Sequence, residues 1–195
     1  MSPKLTLFVV DTGPLITLAA AGVLDYLLYV QTHIVIPDAV LYEATYDAAK
    51  LGAQDIIDWV KVNRGRVELA PTQVFAIFEA ARESIPRLRQ PVLGERAAVE
   101  VIEEPDRLAA DERAVLLCEE SAVFRRVEVR DKDRIVELST MDFLRTLEVR
   151  QCIQSADYVF DAAQHAGRNA SRIEKMPRYT DATNAALHAL LGPKK

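Results

Sequence analysis

Four acidic positions scattered along this chain have the chemistry to hold a divalent metal between them: Asp11, Glu43, Glu95 and one of the pair Glu119-Glu120. Asp11 follows the apolar run Leu5-Thr6-Leu7-Phe8-Val9-Val10 and precedes Thr12-Gly13-Pro14. It therefore stands at the carboxyl end of a buried strand, the edge where open α/β sheets place their chemistry. Glu95 comes directly after Gly94 and shares a helical face with Ala98, Val99 and Ile102, at i, i+3, i+4 and i+7 spacing. An acid on an apolar stripe needs a partner, because burying an unpaired carboxylate is costly, and a helix N-terminus supplies only part of the compensation. Glu119 and Glu120 follow Val115-Leu116-Leu117-Cys118, so one of them ends a second strand. Carboxylates gathered at one edge raise one another's pKa. A hard cation such as Mg²⁺, which takes oxygen ligands and keeps several waters, removes that conflict. Such an ion turns a bound water into a nucleophile and stabilises charge on a phosphoryl oxygen. The set points to metal-assisted phosphodiester hydrolysis. Each acid also has a plainer role open to it: Asp11 as a cap for the helix starting near Pro14, Glu43 as a solvent-facing helical glutamate.

The elements that must position these acids alternate between strand and helix. Strands are expected at Leu5–Val10, His33–Ile36, Val67–Ala70, Ala114–Cys118 and Ile135–Leu138. Helices are expected at Pro14–Val30, Ala39–Lys50, Ala53–Asn63, Thr72–Arg89, Gly94–Glu104, Ser121–Arg126 and Met141–Gln151. Ala109–Glu120 also has a helical reading. Repeated strand–helix units favour a parallel sheet with helices on both faces. Two further helices, Ile153–Gly167 and Asp181–Leu191, lie beyond that alternation. The expected organisation is a domain over residues 1–151 with a C-terminal helical extension over 152–195.

Composition limits the alternatives. Half of the 195 residues are hydrophobic, enough for a well-buried core. A net charge of −5 argues against a broadly basic nucleic-acid coat, though not against local basic patches around a metal-neutralised site. Cys118 and Cys152 fit no zinc or redox spacing, and a reduced, cytoplasmic environment is expected. No membrane span is expected: the apolar stretch from Leu15 to Val30 is short and interrupted by Gly22 and Asp25. Nor does the N-terminus have the order of a signal peptide. His33, His165 and His188 do not cluster, which disfavours a histidine-centred nuclease.

Four stretches in this order resemble the PIN-domain nucleases, including the VapC-type toxins of toxin–antitoxin pairs. They are Val9-Val10-Asp11-Thr12-Gly13-Pro14-Leu15-Ile16, Ile36-Pro37-Asp38-Ala39-Val40-Leu41-Tyr42-Glu43, Gly94-Glu95-Arg96-Ala97-Ala98-Val99 and Leu116-Leu117-Cys118-Glu119-Glu120. A closing strand and helix over Val136–Leu147 follow, with Thr140. The resemblance covers about the first 150 residues. It implies a PIN-like three-layer α/β/α fold with a parallel central sheet, Mg²⁺ or Mn²⁺ at the acids, and cleavage of RNA. Asp11, Glu43 and Glu95 match the family's acids. The last family acid is usually Asp directly after the strand, a place held here by Glu119, with Glu120 as the alternative. If the toxin role holds, a protein antitoxin covers the acidic groove and inserts a basic side chain among the acids, and the domain pairs with itself.

Other features have two readings each. Arg168, Arg172 and Lys175 fall at i, i+4 and i+7, either a cationic stripe that tracks an RNA backbone or the solvated charges of an exposed tail. Thr12 and Thr140 either support the metal's water shell or cap helices. A PIN-like module that binds RNA or protein without cleaving is the rival to the nuclease. A haloacid-type phosphatase is disfavoured, because Gly13 stands where its second Asp belongs. A phosphoryl-accepting receiver is disfavoured because no Asp follows the strand Val67–Ala70.

Overall fold

The computed structural model describes residues 4–119, 127, 129–169 and 190–191. Five strands form one sheet: β1 (Lys4–Val10), β2 (His33–Pro37), β3 (Val67–Ala70), β4 (Glu112–Cys118) and β5 (Ile135–Ser139). Their order is β3-β2-β1-β4-β5, and every neighbouring pair is parallel. The helices are α1 (Thr12–Ala20), α2 (Asp38–Thr45), α3 (Ala53–Val62), α4 (Gln73–Ser84), α5 (Leu93–Glu103), α6 (Thr140–Val149) and α7 (Ala156–His165). This is the expected three-layer α/β/α arrangement. All five expected strands are present, and the region around Ala114–Cys118 is strand, not helix. The expected helix Ser121–Arg126 lies outside the described residues.

Alternation along the strands divides the core. Phe8, Val10, Ile34, Ile36, Val115 and Leu117 face one side, where they meet Leu15 and Leu18 of α1, Ile56 of α3, and Phe143 and Leu147 of α6. Leu7, Val9, Val35, Leu116 and Cys118 face the other, against Ala98, Val99, Val101 and Ile102 of α5. Every second residue turns to the same face because the strand period is two. Phe8 and Phe143, both fully buried, tilt together with ring centroids 5.8 Å apart. Ile153, Ala156, Val159 and Phe160 belong to the same core as α1, so α7 is seated against the sheet's own helical layer.

The long helix expected over Pro14–Val30 breaks in two. Gly22 adopts left-handed backbone, φ 70°, and its N–H donates to Ala19 while that of Val23 donates to Leu18. This pair of bonds is a Schellman stop, and a 3-10 turn, Leu24–Tyr29, follows it.

The corner between β2 and α2 is tied to the corner between β3 and α4. The Asp38 carboxylate accepts from the Thr72 N–H at 2.8 Å, the Thr72 hydroxyl at 2.7 Å and the Ala39 N–H at 2.7 Å. Thr72 in turn caps α4 by accepting from the Phe75 N–H. Three such bonds lost together cost about 2–3 kcal/mol, so Asp38→Ala is expected to lower the urea midpoint accordingly without changing the denaturant slope.

Candidate active site

Strand order reverses at β1: the chain winds outward through β2 and β3, then returns to place β4 and β5 on the other side. Ligands bind at such a reversal, in the crevice beyond the strands' carboxyl ends. Asp11 leaves β1 at that point, and its N–H donates to Leu117 of β4 at 2.9 Å. Glu119 follows β4 immediately. Glu43 projects from α2 and Glu95 from the first turn of α5. The four acids line a single hollow of about 170 Å³, together with Thr12, Gly13, Ile16 and Arg168. A larger cleft of about 1130 Å³ opens between α4 and α5 around Phe75 and Glu100, and none of the four acids lines it.

Asp11 occupies the N-cap position of α1, yet its side chain makes no capping bond. The capping alternative is thereby set aside. Burial pushes its carboxyl up to about 8, with repulsion from Glu95, Glu43 and Glu119 adding to the rise and the Thr12 backbone amide partly offsetting it. Burial likewise raises Glu43, and Glu95 adds to that, while bonds from Thr12 and Gly94 and the charge of Lys50 oppose it. Thr12 donates its hydroxyl to Glu43 at 2.9 Å and the Gly94 N–H reaches the same carboxylate at 3.3 Å. Thr12 therefore orients an acid rather than capping a helix. Thr140 is fully buried, its hydroxyl has no partner among the described residues, and it does not line the hollow. It opens α6 directly after the edge strand β5, whose end lies one strand away from the crevice.

Two glycines make room for the acids. A Cβ on Gly94 would stand 2.6 Å from Glu43 Oε2 and 3.1 Å from Thr12 Oγ1, and one on Gly13 would stand 2.9 Å from Glu119 Oε2. Just ahead of α5, Val92 holds φ 58°, a strained backbone for a β-branched residue.

Arg168, expected either in a cationic stripe or among the charges of an exposed tail, is largely buried against the acids. Its guanidinium enters the hollow, with Nη2 2.7 Å from Glu119 Oε2 and Nε donating to Thr17 Oγ1 at 3.0 Å. Thr17 itself is fully buried and donates to the other oxygen of Glu119. Arg172, Lys175 and Glu120 lie outside the described residues. Thr17 did not announce itself as a site residue in the sequence, and the spacing of Arg168 gave no sign that it would pair with Glu119. Thr17 does follow Gly13 by four residues, which puts the two on one helix face.

A family model described as DUF3368, a PIN domain, matches residues 7–114, more than half of the chain. The protein belongs to the PIN-domain family. Asp11, Glu43 and Glu95 fall within the matched stretch; Glu119 and Arg168 fall after it. No curated protein and no solved structure is similar enough to the chain to match it. PIN domains are generally nucleases and typically use divalent metal ions. The donors in this PIN domain suit a hard ion, being carboxylate oxygens, and the proton retained by Asp11 near neutral pH stands where positive charge is wanted. Among the described residues no three His, Cys, Asp or Glu side chains are already gathered to hold an ion. No helix among the described residues is long and apolar enough to cross a membrane.

Proposed function

We propose that this PIN domain is a metal-dependent endoribonuclease that cleaves RNA phosphodiester bonds, with Asp11, Glu43 and Glu95 holding Mg²⁺ or Mn²⁺. The reading rests on acids from separate elements meeting in one hollow at the reversal of the sheet. When bound, the ion supplies an activated water and stabilises charge on the phosphoryl oxygen. Asp11 gives up its proton when the ion enters, since a ligand must be deprotonated. Thr12 and the Gly94 amide keep Glu43 turned toward the hollow. The finer role, toxin of a toxin–antitoxin pair, is supported by the resemblance to the VapC-type members. Its partner would be a protein antitoxin that covers the hollow, and a small open reading frame with a DNA-binding pattern beside the gene would agree with it. A homodimer belongs to the same reading.

The experiment is cleavage of single-stranded and hairpin RNA by the purified full chain. Cutting with Mn²⁺ is expected, with complete loss in excess chelator and recovery when Mn²⁺ or Mg²⁺ is returned. A second reading, a module that binds RNA or protein without cleaving, is favoured by the Arg168 guanidinium on Glu119. RNA retained intact at high Mn²⁺ would decide for it.

A further inference from the structure

We propose that Arg168 is the resident cation of the hollow: it withdraws Glu119 from metal binding, so that a single divalent ion, held by Asp11, Glu43 and Glu95, completes the site. The inference rests on the metal-dependent reading above. It concerns the position where the fourth acid was expected to serve as a ligand.

Both oxygens of Glu119 are already engaged. Oε1 accepts from the Thr17 hydroxyl, Oε2 accepts from Arg168 Nη2 at 2.7 Å, and the side chain is 4% exposed. The relay closes on itself, because Thr17 Oγ1 also accepts from Arg168 Nε and so uses its single proton and a lone pair together. Arg168 Nη2 further reaches the Gly13 carbonyl at 3.4 Å. A metal that claimed Glu119 would strand a guanidinium whose side chain is only 12% exposed, and an unpaired buried charge is strongly disfavoured. A second dication beside it would also meet direct repulsion.

The mount of Arg168 is as fixed as its head. Gly167, at φ 102°, ends α7. Its N–H donates to Gln164 and that of Arg168 to Ala163, both at 2.9 Å, the paired bonds of a Schellman stop. Helix α7 packs on α1, which carries Gly13 and Thr17. Both ends of the side chain are thus anchored to the same helix pair. Arg168 is a positioning residue: it acts on the ion count and on Glu119, not on the reacting atoms.

Calorimetric titration of Mn²⁺ into the metal-free full chain tests this. Wild type is expected to take up one ion. Glu119→Gln should weaken its binding by less than about fivefold, whereas Asp11→Asn should weaken it well beyond that. The double variant Glu119→Gln with Arg168→Met, which removes both buried charges together, should also keep one ion near wild-type affinity. It carries the test if the single variant does not fold. Arg168→Met alone should tighten Mn²⁺ binding or admit a second ion, a change that a merely structural arginine would not produce. Two ions in wild type, a loss of fivefold or more in both Glu119→Gln variants, or unchanged or weaker binding in folded Arg168→Met would overturn the proposal. Wild type that takes up no Mn²⁺ would instead overturn the metal-dependent reading itself.

Discussion

Asp11→Asn is expected to abolish RNA cleavage, by about a thousandfold or more, while making the metal-free protein more stable. The loss of rate follows from removing a charged ligand from an ion whose contribution to transition-state stabilisation amounts to several kcal/mol. The gain in stability follows from proton linkage. In the folded, metal-free chain the Asp11 carboxyl is raised from 3.8 to about 8. Between those two values the unfolded chain has released a proton that the folded chain keeps. Wild-type stability therefore falls as pH rises through that window and levels off above it. Each pH unit in the window costs at most about 1.4 kcal/mol. Asparagine has no proton to lose, so the variant should overtake wild type progressively as pH rises toward 8. Urea melts of both proteins in chelator at pH 5 and pH 8 measure the difference. Mn²⁺ should raise the wild-type midpoint at pH 8 by mass action and leave the variant's nearly unmoved. A variant less stable than wild type at both pH values would mean that Asp11 is not the strained acid described above.

Gly94→Ala should reduce cleavage by about one to two orders of magnitude, the scale on which a displacement of about 1 Å in an active site acts. The direction of its stability effect separates two influences. By helix propensity alone, alanine in α5 would be better than glycine by about 1 kcal/mol. The added methyl, however, stands 2.6 Å from Glu43 Oε2, 3.1 Å from Thr12 Oγ1 and 3.3 Å from Val40 Cγ2. Overpacking of that kind costs about 1–3 kcal/mol, so the net expectation is a lower urea midpoint, or at best no gain. Glu43 is the flexible neighbour and will yield first, leaving its bonds to Thr12 and the Gly94 amide. The rate therefore suffers more than the fold. An alanine variant that is both more stable and fully active would show that the space beside Gly94 is not needed by Glu43.

Gly94 and Arg168 also mark where reading the chain as a string stops being informative. Asp11 was legible because what identifies it is local: an apolar strand that ends in an acid and turns into a helix. Glu95 was legible for a similar reason, as an acid on the apolar stripe of a helix whose Ala98, Val99 and Ile102 are indeed buried. Glu43 had no such signature. One helical glutamate resembles another until α2 is seen to lie against α5, which brings the Gly94 amide to it. Thr140 is just as mute: a strand-end threonine looks the same in sequence whether its strand is central or, as here, at the edge. The helix expected to run to Val30 failed at Gly22, whose role as a stop depends on a left-handed backbone that composition alone does not reveal.

Alternation of burial along each segment is dictated by backbone geometry, with a period of two or 3.6. The chain by itself therefore determined the five strands, most of the helices, the parallel architecture and the placing of acids at strand ends. Tertiary structure alone decided which strands are neighbours, which glycines must stay bare and which cation meets which acid. The Arg168–Glu119 pair spans 49 residues. A long side chain's direction depends on the helix that carries it being docked elsewhere, and no local repeat encodes that docking.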